Sequence, residues 1–344
     1  MALYTPHHLS LQTAYSDLRR QAEEQRFVLV GTPGTVSART VNGSDFFYRQ
    51  HYDANGKKAA EYLGSVDDAE GQKRAREIGE QIGVANALLD VARMLARSGY
   101  VRVDARTDAV LAALANNGLF RAGGLLIGAH SYGALLNDLG IRAAAPATED
   151  IDVARDRALS PPATKPFEAM LADAKLDLHP VPELDRKKAS TSWKPPGADR
   201  LRVDLLVPTE GTEVKVLEVR DLKGHAKGMP YLRYLLHEPV ESVILGRSAV
   251  IPVRVPRPER LAWHKMLVST LRRRESHKRA KDLAQAAVLV AALTEREAGA
   301  LEDAFGAIPR SMRKNVRTAA AEVLVDLTKN GHEQAVELLS ELLR

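Results

Sequence analysis

Apolar side chains recur at Leu9, Leu11, Tyr15 and Leu18, close to one helical face, so the spacing predicts a helix over residues 8–25. The period then drops to two. Runs of β-prone residues over 36–41, 45–52 and 57–63 are separated by Asn42-Gly43 and Asn55-Gly56, and Gly64 closes the last. Asn-Gly suits a tight hairpin because a type I′ turn needs positive φ at both central positions. Two such turns in succession predict a three-stranded meander. Residues 67–96 read as a long helix, polar at first and apolar later, and 107–116 as another with Thr107 as its N-cap.

The pattern changes in the middle of the chain. Gly124-Leu125-Leu126-Ile127-Gly128 is a short buried strand running into a glycine turn, and 130–139 is helix-like. Residues 148–153 form a strand in which acids alternate with apolar residues. Residues 160–200, rich in Pro, Lys, Ser and Asp, read as an irregular insertion around one helix at 167–174. Strands follow at 200–207 and 214–219, and beyond Pro258 the chain reads as helical almost to its end. Strands flanked by helices on both sides make an α+β fold. The expected division is an N-terminal helix, meander and helix module over 1–118, a core over 119–250 and a C-terminal helical region over 251–344.

Composition narrows the chemistry. The 344 residues are ample for a real core, and with 5% aromatics that core must rest on Leu, Val, Ile and Ala. There is no cysteine, which excludes disulfides and thiolate catalysis. No apolar run reaches the roughly 20 residues of a membrane helix, and the N-terminus lacks a basic segment followed by an apolar one. A cytoplasmic location without membrane contact is expected. The Ala-, Arg- and Leu-rich usage has a bacterial look. Net charge is +5, and the positive charge is dense between Arg254 and Lys281, including Arg272-Arg273-Arg274. Such a stripe is either a solvated helix face or a patch for a polyanionic acceptor.

Three acids stand inside apolar strands. Asp150 and Asp152 are two residues apart in Glu149-Asp150-Ile151-Asp152-Val153, so in a strand they point the same way, roughly 6–7 Å apart. Asp204 sits in Arg202-Val203-Asp204-Leu205-Leu206-Val207. Buried carboxylates are costly unless paired or bound to metal. Asp-x-Asp alone is commonly a strand end, and an acid in a strand can pair with an arginine such as Arg202. The order of the parts is more specific: a strand ending in Gly128, a helix, the Asp-x-Asp strand, then a third acid on a later strand.

That order, over about residues 120–290, resembles the polymerase-beta nucleotidyltransferase superfamily, in a bacterial branch similar to abortive-infection and toxin nucleotidyltransferases. The resemblance implies a core of mixed sheet with flanking helices. It implies that Asp150, Asp152 and Asp204 hold Mg2+ or Mn2+, and that Gly128, Ala129, His130 and Ser131 open the helix whose N-terminus takes the NTP phosphates. The superfamily usually has Gly or Ser after the motif glycine, where this chain has Ala129, so a hydroxyl contact would fall to Ser131. Pro258 to Leu267, followed by Lys278 to Leu283, resembles the C-terminal helices of the toxin branch. By that match Lys265 faces the phosphates and Lys281 and Asp282 close the site.

The implied reaction moves an NMP from an NTP to an acceptor hydroxyl with release of pyrophosphate. Asp150, Asp152, Asp204 and Lys265 would carry it. The acceptor is left open among an RNA such as tRNA, a protein and a small molecule. The alternative is an inactive protein of the same fold that binds nucleic acid or a partner. His225, in Lys223-Gly224-His225-Ala226-Lys227-Gly228, reads as part of a flexible basic loop.

Overall fold

The computed structural model describes residues 2–145, 148–161, 165–183, 185, 187–272 and 276–344. β1 (Tyr4–Pro6) leads into α1 (Leu9–Glu23). The meander β2 (Thr35–Val41), β3 (Ser44–Tyr52) and β4 (Lys58–Ser65) follows, then α2 (Ala69–Arg97) and α3 (Ala105–Asn116). β5 (Leu125–Ile127) runs straight into α4 (Gly128–Asp138), followed by β6 (Ile141–Ala143) and β7 (Asp150–Ala154). The insertion contributes α5 (Phe167–Ala172), β8 (His179–Pro180) and β9 (Ser192–Lys194). Next come β10 (Arg202–Thr209), β11 (Lys215–Val219), β12 (Gly224–Pro230), the short α6 (Leu232–Leu235) and the hairpin β13 (Val240–Leu245) and β14 (Val250–Val255). The chain closes on α7 (Pro258–Leu271), α8 (Ser276–Gly306, kinked at Glu297), α9 (Arg310–Lys329) and α10 (Glu333–Leu343).

The fold is α+β, built on a mixed sheet in the order β11-β12-β10-β7-β5. β10 is its axis. One edge pairs in parallel with β7. The other edge is shared between β9, antiparallel at Val203 and Asp204, and β12, parallel from Leu206 to Thr209. The alternation in β7 and β10 explains the layering. Ile151, Val153, Val203 and Leu205 are almost wholly buried in the apolar core, leaving the acids between them to the other face. The expected meander forms in the order β2-β3-β4 and packs Leu63 and Phe47 against Ala75 and Ile78 of α2.

The N-terminal helices also serve the core. α3 shares one apolar cluster with β5, β7 and β10. α1 and the end of α2 share another with the β13–β14 hairpin. Asp138 at the end of α4 ties these layers together: it accepts from the Tyr15 hydroxyl at 2.8 Å and the Ser242 hydroxyl at 2.6 Å.

Two local expectations are corrected, and one hairpin carries no signal in the sequence. The N-cap of α3 is Asp104, whose carboxylate accepts from the amides of Arg106 and Thr107; Thr107 lies inside the helix and donates its hydroxyl to Asp104 at 2.7 Å. His225 lies in β12, not in a loop. The glycines there read as loop formers, but Gly228 is packed against Leu217 and the Lys215 carbonyl, where a Cβ would be crowded. The β13–β14 hairpin carries no Asn-Gly signal. Its turn is held from outside: Arg102 donates to the Gly246 and Arg247 carbonyls, and Asp108 accepts from the Ser248 amide at 2.6 Å.

Asp108 gives a test of that packing. Burial pushes its carboxyl up to about 8 from an ordinary value of 3.8. Between those values the folded chain holds one more proton than the unfolded chain, so stability falls as pH rises from about 4 to about 8. Asp108→Asn is expected to remove this slope. Denaturant titrations near about pH 5 and about pH 8 should show a smaller stability gap in the variant, by roughly a few kcal/mol, since one pKa unit corresponds to about 1.4 kcal/mol. An unchanged gap would show that Asp108 is not the group responsible.

Candidate active site

Strand register builds the acidic cluster. β7 and β10 run parallel with Asp152 level with Asp204 and Asp150 level with Arg202. On the other edge of β7, Ile127 is level with Asp152, so Gly128 leaves β5 directly beside that carboxylate. Gly128 has φ +74°, and a Cβ built there would collide with Asp152 Oδ2. Glycine is required on both counts: for the left-handed backbone and for the close approach of backbone to carboxylate.

The acids act on one another. Burial, then Asp204 and Asp150, push the Asp152 carboxyl up to about 7, while Lys265 and Arg272 oppose the rise. Asp204 is already partnered: Arg202 Nε donates to its Oδ1 at 2.7 Å and an Arg202 terminal nitrogen donates to Ser192 Oγ at 2.6 Å. Among the described residues no group of three His, Asp or Glu side chains is closed tightly enough to hold a metal as it stands. The donor set nonetheless suits a hard divalent cation. It is all oxygen, lies on one face of two paired strands and carries like-charge repulsion that a cation would relieve.

The helix after the glycine begins at Gly128, two residues earlier than the apolar pattern predicted, and has no side-chain cap. Its first amides, which no helix satisfies from within, therefore have no capping side chain, and Gly128 and Ala129 are half-buried rather than sealed. Ser131 is fully buried and donates to the Gly128 carbonyl at 3.0 Å, so its hydroxyl holds the first turn. His130 is buried beside Ala129. Burial lowers its pKa to about 4, with Lys281 adding to the effect, which keeps the ring neutral.

The C-terminal helices supply cations. Lys265 on α7 is 5% exposed and donates to Asp282 Oδ1 on α8 at 3.1 Å. Arg272 Nε stands 3.2 Å from the other Asp282 oxygen. Asp282 is thus joined to Lys265 and Arg272, while Lys281 is half-buried beside them. Arg272 is drawn in from the basic run that the sequence assigns to solvent or acceptor; Arg273 and Arg274 lie outside the described residues. Sequence reasoning gave Arg272 no role at the site, yet it follows Lys265 by seven residues, two helical turns, which places the two on one face. His264 was likewise unassigned. Burial, then Lys265 and Arg272, push its pKa down to about 3, so it adds no charge.

The positions singled out in the sequence therefore come together from β5, α4, β7, β10, α7 and α8. Among the described residues no helix is long and apolar enough to cross a membrane. No curated protein and no solved structure gives a significant match. A family model described as nucleotidyltransferase matches residues 105–308, more than half of the chain. That span runs from the start of α3 through the sheet and hairpin to just past the end of α8, and contains every residue of the cluster. The chain belongs to this nucleotidyltransferase family.

Proposed function

We propose that the chain transfers an NMP from an NTP to an acceptor hydroxyl, releasing pyrophosphate, with Mg2+ or Mn2+ held by Asp150, Asp152 and Asp204. The observation that carries this is the register that sets Asp152 level with Asp204 and beside the Gly128 turn. Bound divalent cations would neutralise charge on the phosphoryl oxygens and lower the acceptor's pKa.

The chain's own groups do the rest. The uncapped amides at Gly128 and Ala129 take phosphate oxygens at a helix N-terminus, where the dipole favours anions. Lys265 adds a positive charge close to Asp152. Asp282, held on its other oxygen by Arg272, fixes the direction of Lys265, and Lys281 closes the site from α8. The acceptor oxygen bonds to the α-phosphorus as the bond to the β-phosphate oxygen breaks, and pyrophosphate leaves with that electron pair. Asp204 takes the acceptor's proton. Arg202 orients Asp204 through the 2.7 Å contact. Most of the rate enhancement on this account is positioning and electrostatics.

The Arg202–Asp204 pair also favours a second reading, in which the cluster is neutralised by arginine and the protein binds nucleotide or nucleic acid without transfer. Incubating the chain with each α-labelled NTP and a cell extract separates the two. Label recovered in RNA, protein or a small molecule is expected, and it identifies the acceptor. NTP binding with no label transferred would support the binding module instead.

A further inference from the structure

The meander β2-β3-β4 has two unlike faces. Phe47 and Leu63 turn inward to the apolar cluster with Ala75 and Ile78 of α2, and Arg49 and His51 on the same side of β3 are buried. Side chains alternate along a strand, so Phe46, Tyr48, Gln50 and Tyr52 belong to the opposite face. Register adds their neighbours: Tyr48 is level with Ser37 and Tyr62, Phe46 with Arg39, and Tyr52 with Lys58. Aromatics make up only 5% of the chain, yet Phe46, Tyr48, Tyr52 and Tyr62 share this one face. Tyr52 is 48% and Tyr62 52% exposed. Rings grouped on a water-facing sheet surface mark a place of interaction rather than a core.

The rings and charges select the partner. The Tyr62 ring centroid lies 5.8 Å from that of Phe46 at 53° and 5.7 Å from that of Tyr48 at 69°, so Tyr62 is not stacked flat on either and leaves a ring face for a base. Arg39 lies over Tyr48, 5.8 Å from its centroid, and Lys58 flanks Tyr52. Among the described residues no acid shares the face. Asp45 and Glu61 fall on the α2 side of the alternation, and Glu61 is held by Arg49 at 3.1 Å. Aromatic rings with cations and no carboxylate suit a polyanion that carries flat bases, which is a single-stranded nucleic acid. A protein partner has no general need of a face free of acids. Gln50 donates to Ser37 Oγ among the rings, which leaves its own carbonyl oxygen and the serine proton for a 2′-hydroxyl, the group that separates RNA from DNA.

We propose that the outer face of the meander binds single-stranded RNA, with bases stacked on Phe46, Tyr52 and Tyr62 and phosphates met by Arg39 and Lys58. The meander lies outside residues 105–308, the span matched by the nucleotidyltransferase family, so this surface belongs to the chain's N-terminal module and not to the shared core. It stands whether or not the acidic cluster transfers nucleotide.

The test follows fluorescence anisotropy of short labelled oligoribonucleotides, one of each base, with the full chain and neither NTP nor metal, so a failure of nucleotidyl transfer leaves it intact. At least one oligomer should bind, and its deoxy counterpart should bind several-fold more weakly. Tyr62→Ala should weaken RNA binding by about five- to a hundredfold, the loss of one stacked base, while Tyr62→Phe keeps the ring and should bind as the unaltered chain does. Arg39→Ala combined with Lys58→Ala should reduce the slope of log affinity against log salt by about 1.4, as for two phosphate contacts on a single strand. These variants should melt with the unaltered chain, since Arg39, Lys58 and Tyr62 are exposed. Absence of binding by every oligoribonucleotide, equal affinity for the deoxy oligomers, or unchanged RNA affinity in Tyr62→Ala would overturn the proposal. A protein retained from cell extract by the unaltered chain and lost with Tyr62→Ala, while RNA binding is unchanged, would make the face a protein interface instead.

Discussion

Asp152→Ala is expected to lower NMP transfer by about a hundredfold to a thousandfold, the scale seen when one preorganised charge-stabilising group is removed from an active site. The fold should survive. Asp152 is held up near 7 by burial and two like charges, so its removal relieves repulsion rather than breaking a stabilising pair. The variant should match the unaltered chain in circular dichroism and melt no lower. The corresponding loss in Asp204→Ala should be accompanied by release of Arg202 Nε, leaving that guanidinium bonded to Ser192. An Asp152→Ala protein with full activity in Mg2+ or Mn2+ would mean that the transfer chemistry lies elsewhere.

Lys265→Ala is expected to have the second largest effect, and it separates binding from stability. Removing one partner of a buried ion pair costs about 3–5 kcal/mol because the other charge is left uncompensated. Arg272, 3.2 Å from the second Asp282 oxygen, should hold the loss towards the lower end. NTP binding should also weaken by about tenfold or more, since a cation is withdrawn from the phosphate site. Adding Asp282→Asn to Lys265→Ala should restore much of the stability and none of the NTP affinity. Lys314→Ala, an exposed lysine on α9, should change neither quantity. Recovery of NTP affinity in the double variant would make Lys265 a structural residue alone.

The parts legible in the sequence are those whose signals are local. Asn42-Gly43 and Asn55-Gly56 specify the meander within a few residues of where it forms, and the Asp150-Ile151-Asp152 alternation assigns two carboxylates to one strand face. What escaped depends on distant partners. The β13–β14 turn is clamped by Asp108 from 140 positions upstream, and no hairpin motif marks it. The helix before the core is capped by Asp104 rather than Thr107, both residue types that cap helices, and only the fold chooses between them. Arg272 joins the site because Asp282 waits on the next helix. Ser131 shows the converse: its place in the motif is visible, but its hydroxyl turns to the Gly128 carbonyl once the helix starts at Gly128.

The central claim is that the acidic cluster cleaves an NTP at its α-phosphorus. Parallel reactions with α-labelled and γ-labelled NTP, Mg2+ or Mn2+ and the acceptor fraction test it directly. The α-label should enter the acceptor while the γ-label leaves as pyrophosphate, and both events should disappear together in Asp152→Ala. Transfer of the γ-label to the acceptor, or its release as free phosphate with no α-label incorporated, would contradict nucleotidyl transfer by this chain.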